Sequence, residues 1–129
     1  MTTNPISENN PSSKIKKLLI CDDEKGVRES LNLILEDDYK LDFASSGDQA
    51  VQKVNDNAYD GILLDIKMPV KDGLETLEEI RGIAPDVKVI IITGYQSVET
   101  AAKAVKLGAV DYITKPFESD EVKEKVGRI

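Results

Sequence analysis

A chain of 129 residues has room for one domain and can bury a core without disulfide or metal staples. Its formal net charge of −7 comes without the basic stripe that displaces counterions from phosphates, which argues against nucleic-acid binding by this segment. With no histidine and one cysteine, Ser-His-Asp and Cys-His arrangements, histidine-based zinc sites and an internal disulfide are excluded, so carboxylates, hydroxyls and lysines must carry any chemistry.

Residues 1–14 are rich in Asn, Ser and Thr, hold two prolines and lack the apolar core of a signal peptide, so they read as a disordered tail before a domain over 15–129. No window approaches the ~18 consecutive apolar residues of a membrane span. The lone Cys21 ends an apolar run and reads as a small buried hydrophobe, as expected in a reducing, cytoplasmic setting. Leu18-Leu19-Ile20 is a continuous apolar strand that stops at Asp22-Asp23-Glu24, three acids tolerated cheaply only if solvated, at a helix N-terminus, or sharing a cation. The following helix places Val27, Leu31, Ile34 and Leu35 on one face. Leu41-Asp42-Phe43-Ala44 alternates like an edge strand, and Ser45-Ser46-Gly47 turns into a helix with Ala50, Val51 and Val54 inward.

Ile62-Leu63-Leu64 runs straight into Asp65, with Pro69 four residues on, so a buried strand stops at a carboxylate. After a turn at Val70-Lys71-Asp72-Gly73, a helix carries Leu74, Leu77 and Ile80 on its inner face and closes at Gly82 and Pro85. Val87 to Ile92 is the most β-prone run and ends at Thr93-Gly94. Ser97 caps a helix over 98–107 whose inward residues are expected to be Ala101, Ala102 and Val105; such small side chains bury little area, so this helix should be the most loosely held. Gly108 ends it, Val110 to Thr114 alternates as a second edge strand, and Lys115-Pro116 follows. Val122, Val126 and Ile129 keep helical spacing to the last residue, so the final helix is expected to be truncated.

Five strands alternating with five helices specify an α/β fold, a (βα)5 flavodoxin-like doubly wound parallel sheet. The continuous runs of strands one, three and four, against the alternation of two and five, select the order 2-1-3-4-5. All carboxyl ends of a parallel sheet share one edge, which gathers Asp22, Asp23, Asp65, Thr93 and Lys115 on one rim. A carboxylate nucleophile, a divalent cation held by oxygens and a lysine are parts used in phosphoryl transfer; magnesium suits such a set better than zinc, and the expected product is an aspartyl phosphate.

With those residues placed, the chain resembles a receiver domain of a two-component response regulator, through Asp22-Asp23, Leu64-Asp65-Ile66-Lys67-Met68-Pro69, Thr93-Gly94 and Tyr112-Ile113-Thr114-Lys115-Pro116-Phe117. The run from Thr93 to Phe117 is similar to receivers of NtrC-like regulators. The resemblance implies a phosphoacceptor Asp65 fed by a phosphohistidine on a sensor histidine kinase or phosphotransfer protein. It implies Mg2+ held by Asp23, Asp65 and the backbone carbonyl of Lys67, with Asp22 holding a coordinated water. Lys115 and Thr93 then meet phosphoryl oxygens, Tyr112 is the switch aromatic, Lys67 and Tyr95 tune dephosphorylation, and the Lys115-Pro116 bond is cis. The last two helices and the strand between them are the expected output and homodimer face.

Two other readings stay open at this level. A haloacid-dehalogenase-type phosphatase also uses a strand-end aspartate and magnesium, but it needs a second aspartate where this chain has Lys67. A pseudo-receiver would act as an interaction module without phosphorylation, against which the five intact rim residues argue.

Overall fold

The computed structural model describes residues 15–94 and 97–129. The strands are β1 (Lys17–Cys21), β2 (Lys40–Ala44), β3 (Gly61–Leu64), β4 (Lys88–Thr93) and β5 (Ala109–Thr114). They alternate with α1 (Lys25–Leu35), α2 (Gly47–Asp56), α3 (Gly73–Ile83), α4 (Val98–Lys106) and α5 (Ser119–Val126). Every pairing is parallel and the order is β2-β1-β3-β4-β5, as the strand patterns require.

Strand alternation divides the core into two layers. Leu19, Cys21, Ile62, Leu64, Val89 and Ile91 face α2, α3 and α4, meeting Ala50, Val54, Leu77, Ile80 and Ala104. Leu18, Ile20, Leu63, Ile90 and Ile92 face α1 and α5, meeting Leu31, Leu35, Val122 and Val126. The three central strands carry large side chains to both faces because helices cover both. Each fully buried Leu or Ile contributes about 1.5–3 kcal/mol, so β1, β3 and β4 form the rigid base of the rim.

Three expectations need correction. The inward residue of α4 is Ala104; Ala101 is half-buried, Ala102 exposed and Val105 68% exposed. Apolar residues at 101, 102, 104 and 105 spread over nearly half the helix circumference, about 160° at 3.6 residues per turn, so periodicity did not single out one narrow stripe. Gly82 lies inside α3 and does not close it, since the helix runs to Ile83 and Ala84 N–H still donates to Ile80 O. Ile129 lies beyond α5 and packs, half-buried, against the α1/α5 core layer. The expected disordered tail and Tyr95 fall outside the described residues.

The β3–α3 connection carries a strained residue. Lys71 N–H donates to Pro69 O at 2.8 Å across Val70, which is held at φ 68° and is fully exposed. A β-branched residue in this region is costly, while its side chain buries nothing in return. Val70→Gly is therefore expected to stabilise the protein by about 1 kcal/mol, the relief of strain exceeding glycine's extra chain entropy. Urea denaturation of both proteins checks this.

Candidate functional site at the carboxyl edge of the sheet

Register builds the site. Cys21 pairs with Leu64, and Asp65 N–H donates to Cys21 O at 3.0 Å, so Asp22 and Asp65 leave adjacent strands side by side. Thr93 pairs with Thr114, and its carbonyl accepts from Lys115 N–H at 3.0 Å, so the hydroxyl and the lysine are coupled through backbone. The Lys115-Pro116 bond is cis, as the resemblance implied.

Lys115 Nζ lies 2.7 Å from Asp22 Oδ2, 3.0 Å from Asp65 Oδ2 and 3.2 Å from Glu24 Oε1. Asp22 is wholly buried and Asp65 is 3% exposed. Their other oxygens are held by backbone: Glu24 N–H donates to Asp22 Oδ1 at 2.9 Å, and Lys67 N–H donates to Asp65 Oδ1 at 3.0 Å. Arg28 Nη1 donates to Asp22 O at 2.7 Å and fixes the end of β1 from α1. Thr93 is buried and Tyr112, on β5, is half-buried against the α2/α3 core layer.

Electrostatics follow from this crowding. Burial raises the Asp22 carboxyl above its ordinary value, and the Asp65 charge adds to it, although Lys115 and the Glu24 N–H oppose the shift. Burial alone would lower the Lys115 ammonium, but its bonds to Asp22 and Asp65 outweigh that and raise it. Burial raises the Tyr112 phenol, with the charge of Asp65 adding to it. Cys21 is pushed up to about 12, by burial first and then by the charges of Asp22, Asp65 and Asp23. Its thiol should therefore resist Ellman's reagent at pH 8 in the folded protein and react once urea unfolds it; fast reaction under native conditions would contradict the burial.

Asp22, Asp23 and Asp65 each bring one oxygen within 4.8 Å of the others. Asp22 Oδ2 faces the Lys115 ammonium at 2.7 Å and has no other partner among the described residues. A buried carboxylate oxygen with one partner keeps acceptor capacity that a cation-bound water can fill. The all-oxygen donor set fits a hard cation.

Asp22, Asp23, Asp65 and Lys115 meet, Thr93 is joined to Lys115 through backbone, and two contributors were missed. Glu24 reaches Lys115 while serving as the N-cap of α1 without a side-chain cap bond. Its signal was the third acid of Asp22-Asp23-Glu24, which strand patterning could not distinguish from helix-start decoration. Gly73 supports the site from behind: its N–H donates to Ile66 O at 2.7 Å, and a Cβ there would lie 2.3 Å from Asp65 O. In the sequence it reads only as a turn glycine.

Comparison with known proteins agrees with this geometry. Residues 18–127 match the response regulator receiver domain. The chain is 40% identical over 106 residues to the transcriptional regulatory protein ZraR of Klebsiella oxytoca, covering 81% of this chain and 24% of that protein. It is 35% identical over 111 residues to the transcriptional regulatory protein DltR of Streptococcus agalactiae serotype III (strain NEM316), covering 85% of this chain and 50% of that protein. The chain thus spans a quarter to a half of the length of these relatives. A CheY-like receiver domain protein from Methanospirillum hungatei JF-1 superposes with a TM-score of 0.86 at 32% identity, over 89% of this chain and 93% of that one. The receiver domain of NtrX from Brucella abortus does so with a TM-score of 0.80 at 35% identity, over 86% and 95%. With the family model matching residues 18–127 and the fold shared with solved receiver domains, the chain belongs to the receiver domain family of two-component response regulators.

Proposed function

We propose that Asp65 is the phosphoacceptor, receiving a phosphoryl group from a phosphohistidine on a sensor histidine kinase or phosphotransfer protein. The observation that carries this reading is the 3.0 Å contact between Lys115 Nζ and Asp65 Oδ2, inside a cluster of three carboxylates. In the reaction an Asp65 oxygen forms a bond to phosphorus while the donor's phosphorus–nitrogen bond breaks, and the electron pair leaves with the imidazole nitrogen. Magnesium, held by Asp23, Asp65 and the Lys67 carbonyl with Asp22 retaining a coordinated water, would supply charge neutralisation for the incoming phosphoryl oxygens.

The chain's own residues do the positioning. The Lys67 N–H holds one Asp65 oxygen and so orients the carboxylate. Lys115 exchanges a carboxylate contact for a phosphoryl oxygen, and the Thr93 hydroxyl meets another. Because Thr93 O and Lys115 N–H are bonded, either movement pulls on the other strand end. Tyr112 then turns inward as the switch aromatic. The domain assists its own dephosphorylation, at a rate that Lys67 and Tyr95 tune. The face of α4, β5 and α5, where Val98, Val105 and Val110 are exposed, is the output and homodimer surface. Among the described residues no helix is long and apolar enough to cross a membrane. The proposed location is the cytoplasm, because the proposed kinase partners present their phosphohistidines there.

Incubation with acetyl phosphate and Mg2+, followed by intact mass, tests this directly. The expected result is the gain of one phosphoryl group, absent in Asp65→Asn and absent with chelator. No gain in the wild type would overturn the proposal in favour of a pseudo-receiver, and turnover of a phosphate monoester would favour the phosphatase.

A further inference from the structure

Arg81, in the last turn of α3, spends its guanidinium on backbone of two other segments. Nε donates to Leu107 O at 2.8 Å and Nη2 to Gly108 O at 3.0 Å, at the end of α4. Nη1 donates to Val87 O at 2.6 Å and Pro85 O at 3.2 Å, in the connection before β4. Among the described residues no carboxylate lies within ion-pair distance of Arg81. Four of the five N–H donors therefore go to carbonyls, a rigid planar fork used as a joint.

Gly108 is shaped for this joint. It sits at φ 89°, where a side chain is strained, and a Cβ on it would lie 3.0 Å from Arg81 Nε and press on the guanidinium. The rest of α4 is held unevenly. Its one buried residue, Ala104, lies toward the C-terminal end, where Leu107 is half-buried and Lys103, Val105 and Lys106 are exposed; the N-terminal end has Ser97, Thr100 and Ala101 half-buried, Val98 and Glu99 exposed, and no buried residue. The N-terminal end follows Thr93 and the rim, so the weakly held end is the one nearest the chemistry.

We propose that Arg81 fixes the C-terminal end of α4 as a pivot, so that the helix responds to the rim by swinging its N-terminal end and neither slides nor melts as a unit. At 1.5 Å rise per residue, a tilt of about 10° over this helix displaces its first turn by about 2 Å. The coupling of this swing to phosphorylation rests on the phosphoacceptor reading above; the pivot itself does not.

Residue-resolved amide exchange on the whole chain separates the two. In the unliganded protein, amides at 104–108 should exchange at least about tenfold more slowly than those at 98–102, and Arg81→Met should remove that difference, as expected from losing hydrogen bonds donated by a charged group. Exchange in β1 and β3 should stay unchanged, which reports that the variant is folded. Should Arg81→Met lose its global fold, Arg81→Lys, which keeps the charge but not the fork, carries the same test. In wild type the beryllofluoride–Mg2+ complex should alter 97–103 more than 104–108. Uniform exchange along α4, unchanged protection of 104–108 in the variant, or a response greatest at 104–108 would overturn the pivot. A complex that leaves every segment unchanged contradicts the phosphoacceptor reading, while the unliganded gradient still decides the pivot.

Discussion

Replacing Lys115 by methionine is expected to destabilise the protein by about 3–5 kcal/mol in the absence of divalent cation, the usual cost of removing one partner of a buried ion pair. The side chains of Asp22 and Asp65 are 0% and 4% exposed, and each has one oxygen within 3.0 Å of the ammonium. Methionine replaces most of the aliphatic stem, so lost packing contributes little and the uncompensated charge dominates. The Glu24 and Lys67 N–H groups still hold the other oxygens, but neutral donors do not replace a cation among three or four carboxylates. Magnesium should recover part of the loss: a cation at one hundred times its dissociation constant adds about 2.7 kcal/mol. Low pH should recover part as well. Asp22 already has a raised folded-state pKa, so its protonation favours the folded state. That contribution is complete below the unfolded value near 3.8 and is lost as pH rises through the folded value, a window the variant should widen upward. Urea titrations with and without Mg2+, at acid and neutral pH, measure all three effects. A loss under 1 kcal/mol at neutral pH would show that Lys115 is not the charge that balances the pair.

Gly73→Ala should be the more damaging change for function. A Cβ at position 73 would lie 2.3 Å from Asp65 O and 2.4 Å from Ile66 Cα, both backbone atoms that cannot rotate aside. Relief requires the start of α3 to withdraw, which breaks the 2.7 Å bond from Gly73 N–H to Ile66 O or moves Asp65 itself. Overpacking of this kind costs about 3 kcal/mol. A displacement near 1 Å at a reacting group lowers rates about 10²-fold, so the phosphorylation rate with acetyl phosphate should fall by that order even in molecules that remain folded. Gly82→Ala, in the same helix, is the control: nothing lies within 4 Å of its Cβ, and the change should stabilise by about 0.5–1 kcal/mol with phosphorylation unchanged. Equal behaviour of the two variants would mean that Gly73 does not set the position of Asp65.

The strands and their order were legible because burial on two faces and burial on one leave different patterns. Ile62-Leu63-Leu64 and Val89 to Ile92 can only be interior strands, and Lys40–Ala44 and Ala109–Thr114 only edges, so the parallel order followed. The convergence of Asp22, Asp65, Thr93 and Lys115 followed in turn, since parallel strands deliver their ends to one side. What lay beyond reach depends on distances set by several elements at once. The helix α4 shows apolar residues over too wide an arc for its inner face to be read, and packing against α3 and β5 chose Ala104. Glu24 joins Lys115 only because α1 starts where it does relative to β5, and Gly73 matters only because α3 begins against the backbone of Asp65. Arg81 is an ordinary surface-helix arginine in the sequence, and its four carbonyl acceptors come from segments that only the folded chain brings together. Hydrophobic periodicity along the chain thus determined the scaffold and the rim by itself, because it records burial residue by residue. The tertiary structure alone decided which charges touch and which helix end is held, because those contacts join residues whose separation along the chain carries no periodic trace.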